Sequence, residues 1–431
     1  MIDVQRLREE PEKVRELLLR KGYELNLNEF VSLDSKRKEL IQETEKLKAV
    51  RNKVSAEIPQ LKKRGEDVSD TLKEMKELGE KVKELDARLQ QIEKERDDFL
   101  AAIPNLPDED LLPGDKENNQ VVRVCGEEVK FDFTPKHHVD LAESLNIIDY
   151  TRGAKIAGSG HWIYRGDGAR LEWALLNYFI STHLRDNYEM ILPPHLLNYR
   201  SGYTAGQFPK FKEDVFWIDA SDADEDKEKR SFLLPTAETA LVNLYRDEIL
   251  EEDDLPKKLF AFTPCYRREA GSYRADERGM VRGHQFDKIE LFQYCLPEQS
   301  DQAFEELVNK ASELVEGLGL YFRVSKLAAG DCSASMARTS DIEIYIPSMG
   351  GFKEVSSISN ARDYQARRGM MRFRRKESGK LEYLHTLNAS GLATSRVFPA
   401  ILEQNQTADG KIKIPEVLVP FMGGQEYIER R

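Results

Sequence analysis

The chain has 431 residues, of which 40% are hydrophobic and 33% charged, and its formal net charge is −12 at pH 7. No apolar run approaches the roughly 20 residues of a membrane span, the N-terminus lacks the apolar core of a secretory signal, and the four cysteines form no CxxC pair. These features exclude membrane-spanning, disulfide-stapled and cysteine-based zinc proteins, and we expect a cytoplasmic protein of two or three domains.

Helical periodicity dominates the first hundred residues. Residues 3–22 predict one or two short amphipathic helices. Apolar residues then recur at heptad spacing in two series: Leu33, Leu40, Leu47, Val54 and Leu61, followed by Met75, Leu78, Val82, Leu85, Leu89, Ile92 and Phe99. This seam predicts an antiparallel coiled-coil hairpin over about residues 30–100, each arm about 45 Å long. Pro59 is expected to end the first arm, with the tip near residues 59–70.

Basic residues crowd the outward positions of the first arm and the tip: Lys36, Arg37, Lys38, Lys46, Lys48, Arg51, Lys53, Lys62, Lys63 and Arg64. One interpretation is a solvated face laced with Glu–Lys pairs, which is the common explanation for charge on a coiled coil. The other is a surface for an anionic polymer, which needs only a local basic stripe even on an acidic protein. The residues alone favour the solvated face.

Proline, aspartate and glycine between residues 101 and 116 predict a linker, and a mixed pattern follows it. We expect a helix at Glu172–Leu184, a short strand at Glu189–Pro194, and a strand at Ser231–Pro235 leading into a helix near Thr239–Leu250. The later strands lack the regular strand–helix alternation of a parallel sheet. The predicted fold class is therefore α+β, an antiparallel sheet flanked by helices. Neither a P-loop nor a GxGxxG turn occurs in the sequence.

Phe262–Glu290 predicts two antiparallel strands joined by a long loop rich in glycine and arginine. Arg267 and Glu269 are two residues apart on the first strand, so their side chains should project from one face. A guanidinium beside a carboxylate suits a ligand with a phosphate and a hydrogen-bond donor, such as ATP. The alternative is a charged hairpin whose groups pair with one another. The loop adds three cations: Arg274, Arg278 and Arg282.

Two shorter motifs also carry polar groups at strand spacing. In PTAET, Thr236 and Glu238 could together hold an ammonium group and a small polar side chain. The alternative is a helix N-terminus with Thr236 as N-cap and Glu238 in the first turn. In EVSS, the carboxylate of Glu354 and the hydroxyls after it could hold Mg²⁺ between nucleotide phosphates, although such a strand edge is more often merely exposed.

His385–Gln406 predicts a strand, a glycine turn and an amphipathic helix with Pro399 in its first turns. Arg396 lies near the N-terminus of that helix, where a cation opposes the helix dipole. An anion against this end, such as a phosphate, would remove the conflict. Asn388 and Ser390 precede the turn and are expected to line the same pocket.

These segments, taken in order, make the whole chain resemble a bacterial-type seryl-tRNA synthetase, a class II aminoacyl-tRNA synthetase. The hairpin resembles the family's tRNA-binding arm, and residues 168–194 resemble motif 1 at the dimer interface. CYRREAG through HQFDKIE resembles motif 2, and NASGLATSR with AILEQNQ resembles motif 3. TPKHHVDL, GQFPKF, PTAE and KIPEVLVPFMGG also match family segments. The resemblance implies a tRNA-binding arm at residues 1–105 and a catalytic domain at residues 106–431.

The resemblance also implies a role for individual residues. Arg267 and Arg396 would be catalytic through their charge, and Glu354 with Ser357 would hold Mg²⁺. The residues implied around ATP are Arg267, Arg268, Glu269, Arg282, Phe286, Glu354, Val355, Ser356, Ser357 and Arg396. The residues implied around serine are Thr236, Ala237, Glu238, Arg267, Glu290, Asn388 and Ser390. The residues implied on tRNA-Ser are Lys46, Arg51, Lys53, Lys62, Lys63, Arg274 and Arg278.

The implied protein is a cytoplasmic homodimer that activates L-serine with ATP and transfers it to the 3′ end of tRNA-Ser, with no membrane or DNA partner. Two alternatives are a seryl-adenylate-forming paralogue that loads a carrier protein and a catalytically silent RNA-binding scaffold. The hairpin disfavours the first, and the retained charged residues disfavour the second.

Four features depart from the family pattern, and none removes a group with an implied role. Ala389 replaces a glycine, and its added methyl is expected beside the serine pocket, where it would tighten the pocket. The other departures are Thr239–Ala240, Ile358 and the segment of residues 332–341.

Overall fold

The computed structural model describes residues 1–218, 230–269 and 279–430. The chain divides into two compact units, one of residues 24–103 and one of residues 1–23 with 104–431. Within the described ranges, no helix is long and apolar enough to cross a bilayer.

The α-helices are α1 (Val4–Glu9), α2 (Pro11–Arg20), α3 (Leu27–Lys63), α4 (Ser69–Ala102), α5 (His138–Ser144), α6 (Tyr150–Ala157), α7 (Asp167–Arg185), α8 (Tyr199–Thr204), α9 (Glu238–Leu241), α10 (Ser300–Gly317), α11 (Tyr364–Gly369) and α12 (Thr394–Gln404). The strands are β1 (Gln120–Cys125), β2 (Ile148–Asp149), β3 (Ile163–Tyr164), β4 (Glu189–Ile191), β5 (Leu196–Asn198), β6 (Trp217–Ile218), β7 (Ser231–Leu233), β8 (Ile249–Glu251), β9 (Lys257–Tyr266), β10 (Gln285–Cys295), β11 (Phe322–Lys326), β12 (Arg338–Ile346), β13 (Gly351–Arg362), β14 (Arg372–Arg374), β15 (Leu381–Tyr383), β16 (His385–Ala393), β17 (Ile412–Lys413) and β18 (Tyr427–Ile428).

The smaller unit is the predicted helical hairpin, built from α3 and α4. The 37 residues of α3 give it a length of about 55 Å. Val82 and Leu85 of the predicted seam are each 3% exposed. Ion pairs join the two helices, with Lys48 Nζ 2.8 Å from an Asp86 oxygen. The two heptad series therefore form the hairpin, and part of the charge on its first arm serves cross-helix pairing.

The prediction that Pro59 ends the first arm is wrong. Helix α3 continues through Lys63, with Pro59 inside it. Proline removes one backbone donor, and the residue four positions earlier, Ser55, is exposed. Solvent therefore hydrates the carbonyl that loses its partner, and the helix continues to the tip.

The larger unit is built on an eight-stranded sheet with the order β1-β11-β12-β13-β16-β10-β9-β4. Among the strands that the structure describes in this sheet, only β4 and β9 pair in parallel. Helices α7, α10 and α12 bury apolar side chains such as Phe179, Leu307 and Phe398 in the core beside the sheet. The predicted α+β class, an antiparallel sheet flanked by helices, is confirmed.

Two details of the predicted secondary structure are wrong. The helix expected near Thr239–Leu250 is the four-residue α9, which is followed by turns such as Asn243 N–H to the Ala240 carbonyl. A helix through to Leu250 is also ruled out at Asp247, which adopts a left-handed φ of 65° and donates its N–H to the Gly369 carbonyl. The expected glycine turn at Gly391 lies inside β16. A Cβ there would lie 2.7 Å from Nε2 of His183, so glycine serves close packing against α7 and not a turn.

The predicted linker is not helical beyond Ala102, but it is not a free tether. Residues 104–107 are buried in the larger unit. The side chain of Asn105 donates to the carbonyls of Ser335 and Ala361 at 3.0 and 2.8 Å. This segment is therefore part of the packed structure.

Candidate active site

A polar cleft lies against the central strands β13, β16 and β10 of the larger unit. Its deeper part is a cavity of about 470 Å³. A smaller cavity of about 90 Å³ shares Arg267, Glu269, Lys288 and Ser390 with it. A third cavity, of about 460 Å³, meets both at Glu354. The motifs at residues 235–239, 262–290, 354–357 and 385–406 therefore converge on one cleft.

Arg267 lies where the cavity of about 470 Å³ meets the cavity of about 90 Å³. Its guanidinium lies 5.2 Å from the centre of the Phe286 ring and donates from Nε to the Pro235 carbonyl at 3.2 Å. Glu269 accepts from Nη1 of Arg282 at 2.5 Å. These groups form a cationic and aromatic end to the cleft, with one carboxylate held among them.

The prediction that Arg267 and Glu269 share one face of a strand is wrong. Strand β9 ends at Tyr266, one residue before Arg267. Glu269 has a left-handed φ of 49°, which breaks the two-residue alternation of an extended strand. Both side chains nevertheless line the cleft, because the backbone bends toward it beyond the strand.

Arg396 and Glu354 meet at the other side of the small cavity. Arg396 is the third residue of α12, and its Nη1 donates to the Glu354 carbonyl at 2.7 Å and lies 3.6 Å from a Glu354 carboxylate oxygen. Asp341 is paired with Ser357 across β12 and β13. Burial, with the charge of Glu354 next, holds the pKa of Asp341 well above its usual range. Carboxylates and a hydroxyl are therefore concentrated at this point.

A buried charge network forms the deep end of the cleft. Lys288 donates to the Thr236 hydroxyl at 2.7 Å and also contacts the Glu290 carboxylate. Thr236 in turn donates to Glu290 at 3.0 Å. Lys288 is 5% and Glu290 2% exposed, so their opposite charges stabilise one another out of water.

Glu238 lies beside this network and accepts from the side chain of Gln365 at 2.8 Å. Burial raises its pKa to about 7, and the charge of Glu290 acts in the same direction. Glu238 is also the first residue of α9, and its N–H donates to the Thr236 hydroxyl at 3.4 Å. Glu238 therefore lies in the first turn of a helix and also lines the cleft, but the prediction that Thr236 is the N-cap is wrong, because Ala237 occupies that position and no side chain caps the helix.

The structure brings most of the implied ligand-binding residues together, with three exceptions among the described residues. Ala237 and Ser356 are completely buried and line none of the three cavities. The Arg268 guanidinium donates to the Glu213 carbonyl at 3.3 Å, outside the cavities. Two implied tRNA contacts, Arg274 and Arg278, lie outside the described residues.

The implied tRNA contacts on the hairpin all belong to α3. Lys46, Lys53, Lys62 and Lys63 are exposed, and Arg51 is half-buried. The hairpin thus presents a row of cations to solvent.

Sequence reasoning missed Lys288 and the wall formed by Ser333, Ser335 and Met336. Lys288 could have been found, because it alternates with Phe286 and Glu290 along β10. The wall carries no binding motif, although it lies within the segment of residues 332–341 that departs from the family pattern.

Two of the departures have their effect outside the cleft. Ala389 and Ile358 are fully buried, paired across β16 and β13 in the hydrophobic core. The expectation that the Ala389 methyl tightens the pocket is therefore wrong, because residue 389 faces away from its neighbours Asn388 and Ser390.

Comparisons with known proteins cover the whole chain. A family model of the seryl-tRNA synthetase N-terminal domain matches residues 1–107, and a model of the class II tRNA synthetase core domain (G, H, P, S and T) matches residues 216–405. Serine–tRNA ligase 2 of Clostridium acetobutylicum is 59% identical over 98% of this chain and 99% of its own. Serine–tRNA ligase of Geobacillus kaustophilus is 46% identical over 99% and 100%.

A solved structure is also similar along its full length. Seryl-tRNA synthetase from Pyrococcus horikoshii, complexed with ATP, superposes with a TM-score of 0.90 at 32% identity, covering 100% of both chains.

The buried carboxylate of Glu238 should lower stability at neutral and higher pH. A carboxyl whose pKa is raised from 4.5 to about 7 on folding loses stability as pH rises between these values. We expect Glu238→Gln to raise the melting temperature at pH 8 by about 2–5 °C and to change it little at pH 5. Glu248→Gln, at an exposed position of the same unit, is the matched control. Equal melting temperatures of Glu238→Gln and wild type at pH 8 would contradict this account.

Proposed function

The chain belongs to the seryl-tRNA synthetases, class II ligases, and we propose that its cleft joins serine to ATP and passes the activated serine to tRNA-Ser. The observation that carries this proposal is the position of Arg267. Its side chain lines both the aromatic, cationic cavity and the cavity of buried carboxylates. A cation at that junction suits the phosphate at which a nucleotide and an amino acid would be joined.

ATP would lie across the small cavity and the third cavity, which share Glu354 and Arg396. Phe286 offers an aromatic face for the adenine ring, and Glu269 an acceptor for its amino group. Arg267 would bind the α-phosphate, while Arg396, near the N-terminus of α12, would bind the γ-phosphate end. The ATP complex of the Pyrococcus horikoshii relative supports this choice of nucleotide.

The residues around Glu354 fit a bound Mg²⁺. One carboxylate oxygen of Asp341 is buried without a hydrogen-bond partner, beside the acidic Glu354 and the Ser357 hydroxyl. Carboxylate and hydroxyl oxygens are the ligands that this hard cation prefers. We propose that Glu354 and Ser357 hold it, and its charge would offset that of the nucleotide phosphates when bound.

The deep cavity would take serine. Glu238, whose pKa burial raises to about 7, is an acceptor for the ammonium group, which would favour its ionised form. Glu290 offers an acceptor for the hydroxyl of serine, and Thr236 lines the cavity beside it. Lys288 and the Thr236 hydroxyl hold the Glu290 carboxylate in place. Asn388 and Ser390 line the strand side of the cavity.

The reaction then requires no nucleophile from the protein. The serine carboxylate attacks the α-phosphorus in line, pyrophosphate leaves, and the seryl-adenylate is attacked by a hydroxyl at the tRNA 3′ end. The chain contributes alignment of serine with ATP and stabilisation of the charge that develops on the phosphate oxygens. Arg267 and Arg396 are the groups placed for that stabilisation.

The hairpin would bind tRNA-Ser through Lys46, Arg51, Lys53, Lys62 and Lys63 on α3. Arg274 and Arg278, which lie outside the described residues, are the other proposed tRNA contacts. Contacts of this kind recognise backbone and shape, not base sequence.

We further propose a homodimer that uses the motif 1 region. Large apolar side chains on and after α7 are exposed, among them Trp173 at 57% and Leu192 at 73%. Side chains of this size are typical of protein interfaces.

Serine-dependent ATP–pyrophosphate exchange tests the chemistry. We expect exchange with serine, well above that with threonine, alanine or cysteine, and a loss of about 10²–10³-fold in Arg267→Ala, because a charge stabilising the transition state is removed. Arg200→Ala, an exposed arginine paired with Asp247 away from the cleft, should keep wild-type exchange. If the folded wild-type protein showed no serine-dependent exchange, the result would contradict the proposal and favour an RNA-binding scaffold.

Salt dependence of tRNA-Ser binding tests the hairpin. Lys62→Ala with Lys63→Ala should weaken binding and lower the slope of log K against log salt by about 2, one for each lost phosphate contact. Lys83→Ala with Lys94→Ala, which removes the same charge from exposed positions of α4, is the control. Equal slopes for the two double variants would show that α3 has no special role.

A further inference from the structure

One wall of the serine cavity is a segment without regular secondary structure. Residues 333–337 lie between β11 and β12, and Ser333, Ser335 and Met336 line the cavity. The only backbone hydrogen bond within this segment, in the described structure, runs from Met336 N–H to the Ser333 carbonyl. Its carbonyl groups therefore depend on donors from elsewhere in the chain.

Those donors come from two places that are distant in sequence. Four consecutive carbonyl oxygens, of residues 334–337, each accept a hydrogen bond from Lys21 or from residues 105–108. The bonds are Asn105 N–H to Ala334 at 2.7 Å, Asn105 Nδ2 to Ser335 at 3.0 Å, Lys21 Nζ to Met336 at 2.6 Å, and Asp108 N–H to Ala337 at 2.9 Å.

Lys21 and Asn105 are also bonded to each other. The Lys21 ammonium lies 3.4 Å from the Asn105 carbonyl oxygen, which makes it a bridge between that carbonyl and Met336. Asn105 is 5% exposed and gives its side-chain amide to two carbonyls, of Ser335 and Ala361. Lys21 is half-buried, and desolvation lowers the pKa of its ammonium group to about 8. In the described structure the ammonium donates to the carbonyls of Asn105 and Met336, which offset part of the cost of withdrawing its charge from water.

Lys21 and Asn105 flank the hairpin unit in the sequence. The hairpin unit runs from residue 24 to residue 103, so Lys21 lies three residues before it and Asn105 two residues after it. Both belong to the larger unit, which contains the cleft.

We propose that Lys21 and Asn105 are positioning residues for the amino-acid pocket. By fixing the backbone of residues 334–336, they set the place of Ser335 and Met336 against bound serine, while the nucleotide end of the cleft does not depend on them. This inference rests on the proposed function. Lys21 and Asn105 lie outside the cleft, yet part of the affinity for serine depends on them.

The test separates the affinity for serine from that for ATP in pyrophosphate exchange. Lys21→Met keeps the apolar stem and removes the ammonium, and Asn105→Ser removes the side-chain amide. In each we expect KM for serine to rise about tenfold, with KM for ATP and kcat within about twofold of wild type. Because both act on one segment, the double variant should fall short of the product of the two increases. If Lys21→Met does not fold, Asn105→Ser carries the test.

The matched control is Lys13→Met. Lys13 lies 2.7 Å from Glu109 and so joins α2 to the same stretch after the hairpin, but it is not bonded to the wall. It should leave both KM values unchanged. Melting temperatures of all variants are measured alongside. Folded variants with wild-type KM for serine, or KM values for serine and ATP that rise together, would overturn the inference. Absence of serine-dependent exchange in the wild type would instead overturn the proposed function, and the inference with it.

Discussion

The cleft depends on opposite charges held together out of water. Lys288 stabilises Glu290 and Thr236 at its deep end, while Glu238 beside them accepts from the neutral amide of Gln365. Burial raises the pKa of Glu238 to about 7, although the charges of Lys288 and Arg267 act in the opposite direction. A buried carboxylate with a raised pKa is poised for a cationic ligand. Lys288 and Glu290 lie on β10, which pairs with β16 and through it with β13, so the sheet holds this ion pair in place.

Contacts outside the sheet also hold the walls of the cleft in place. The wall of the deep cavity at residues 333–337 is fixed by Lys21 and by residues 105–108, on either side of the helical hairpin in sequence. The N-terminal helices thus have a structural part in the unit that holds the cleft, in addition to leading into the hairpin. The order of the chain hides this role, because the contacts join residues more than 200 positions apart.

The sequence predicts what depends on local pattern and fails where a distant contact decides. Heptad spacing found the hairpin, and strand alternation could also have found Lys288. The end of the first arm at Pro59, the helix after Thr239 and the turn at Gly391 were wrong, since solvent, a bond to Gly369 and close packing against His183 override local preference. The segment of residues 332–341 was noted only as a departure, and its place as a wall of the cavity could not be predicted, because the donors that hold Ser335 and Met336 belong to other segments.

The measurement that tests the account most directly is a crystal structure of the chain with a non-hydrolysable seryl-adenylate analogue. The account predicts the linkage that replaces the α-phosphate against Arg267, the adenine ring over Phe286, and the serine ammonium group within hydrogen-bonding distance of Glu238. An analogue bound with its ammonium group away from Glu238, or with the linkage away from Arg267, would contradict the assignment of the two cavities.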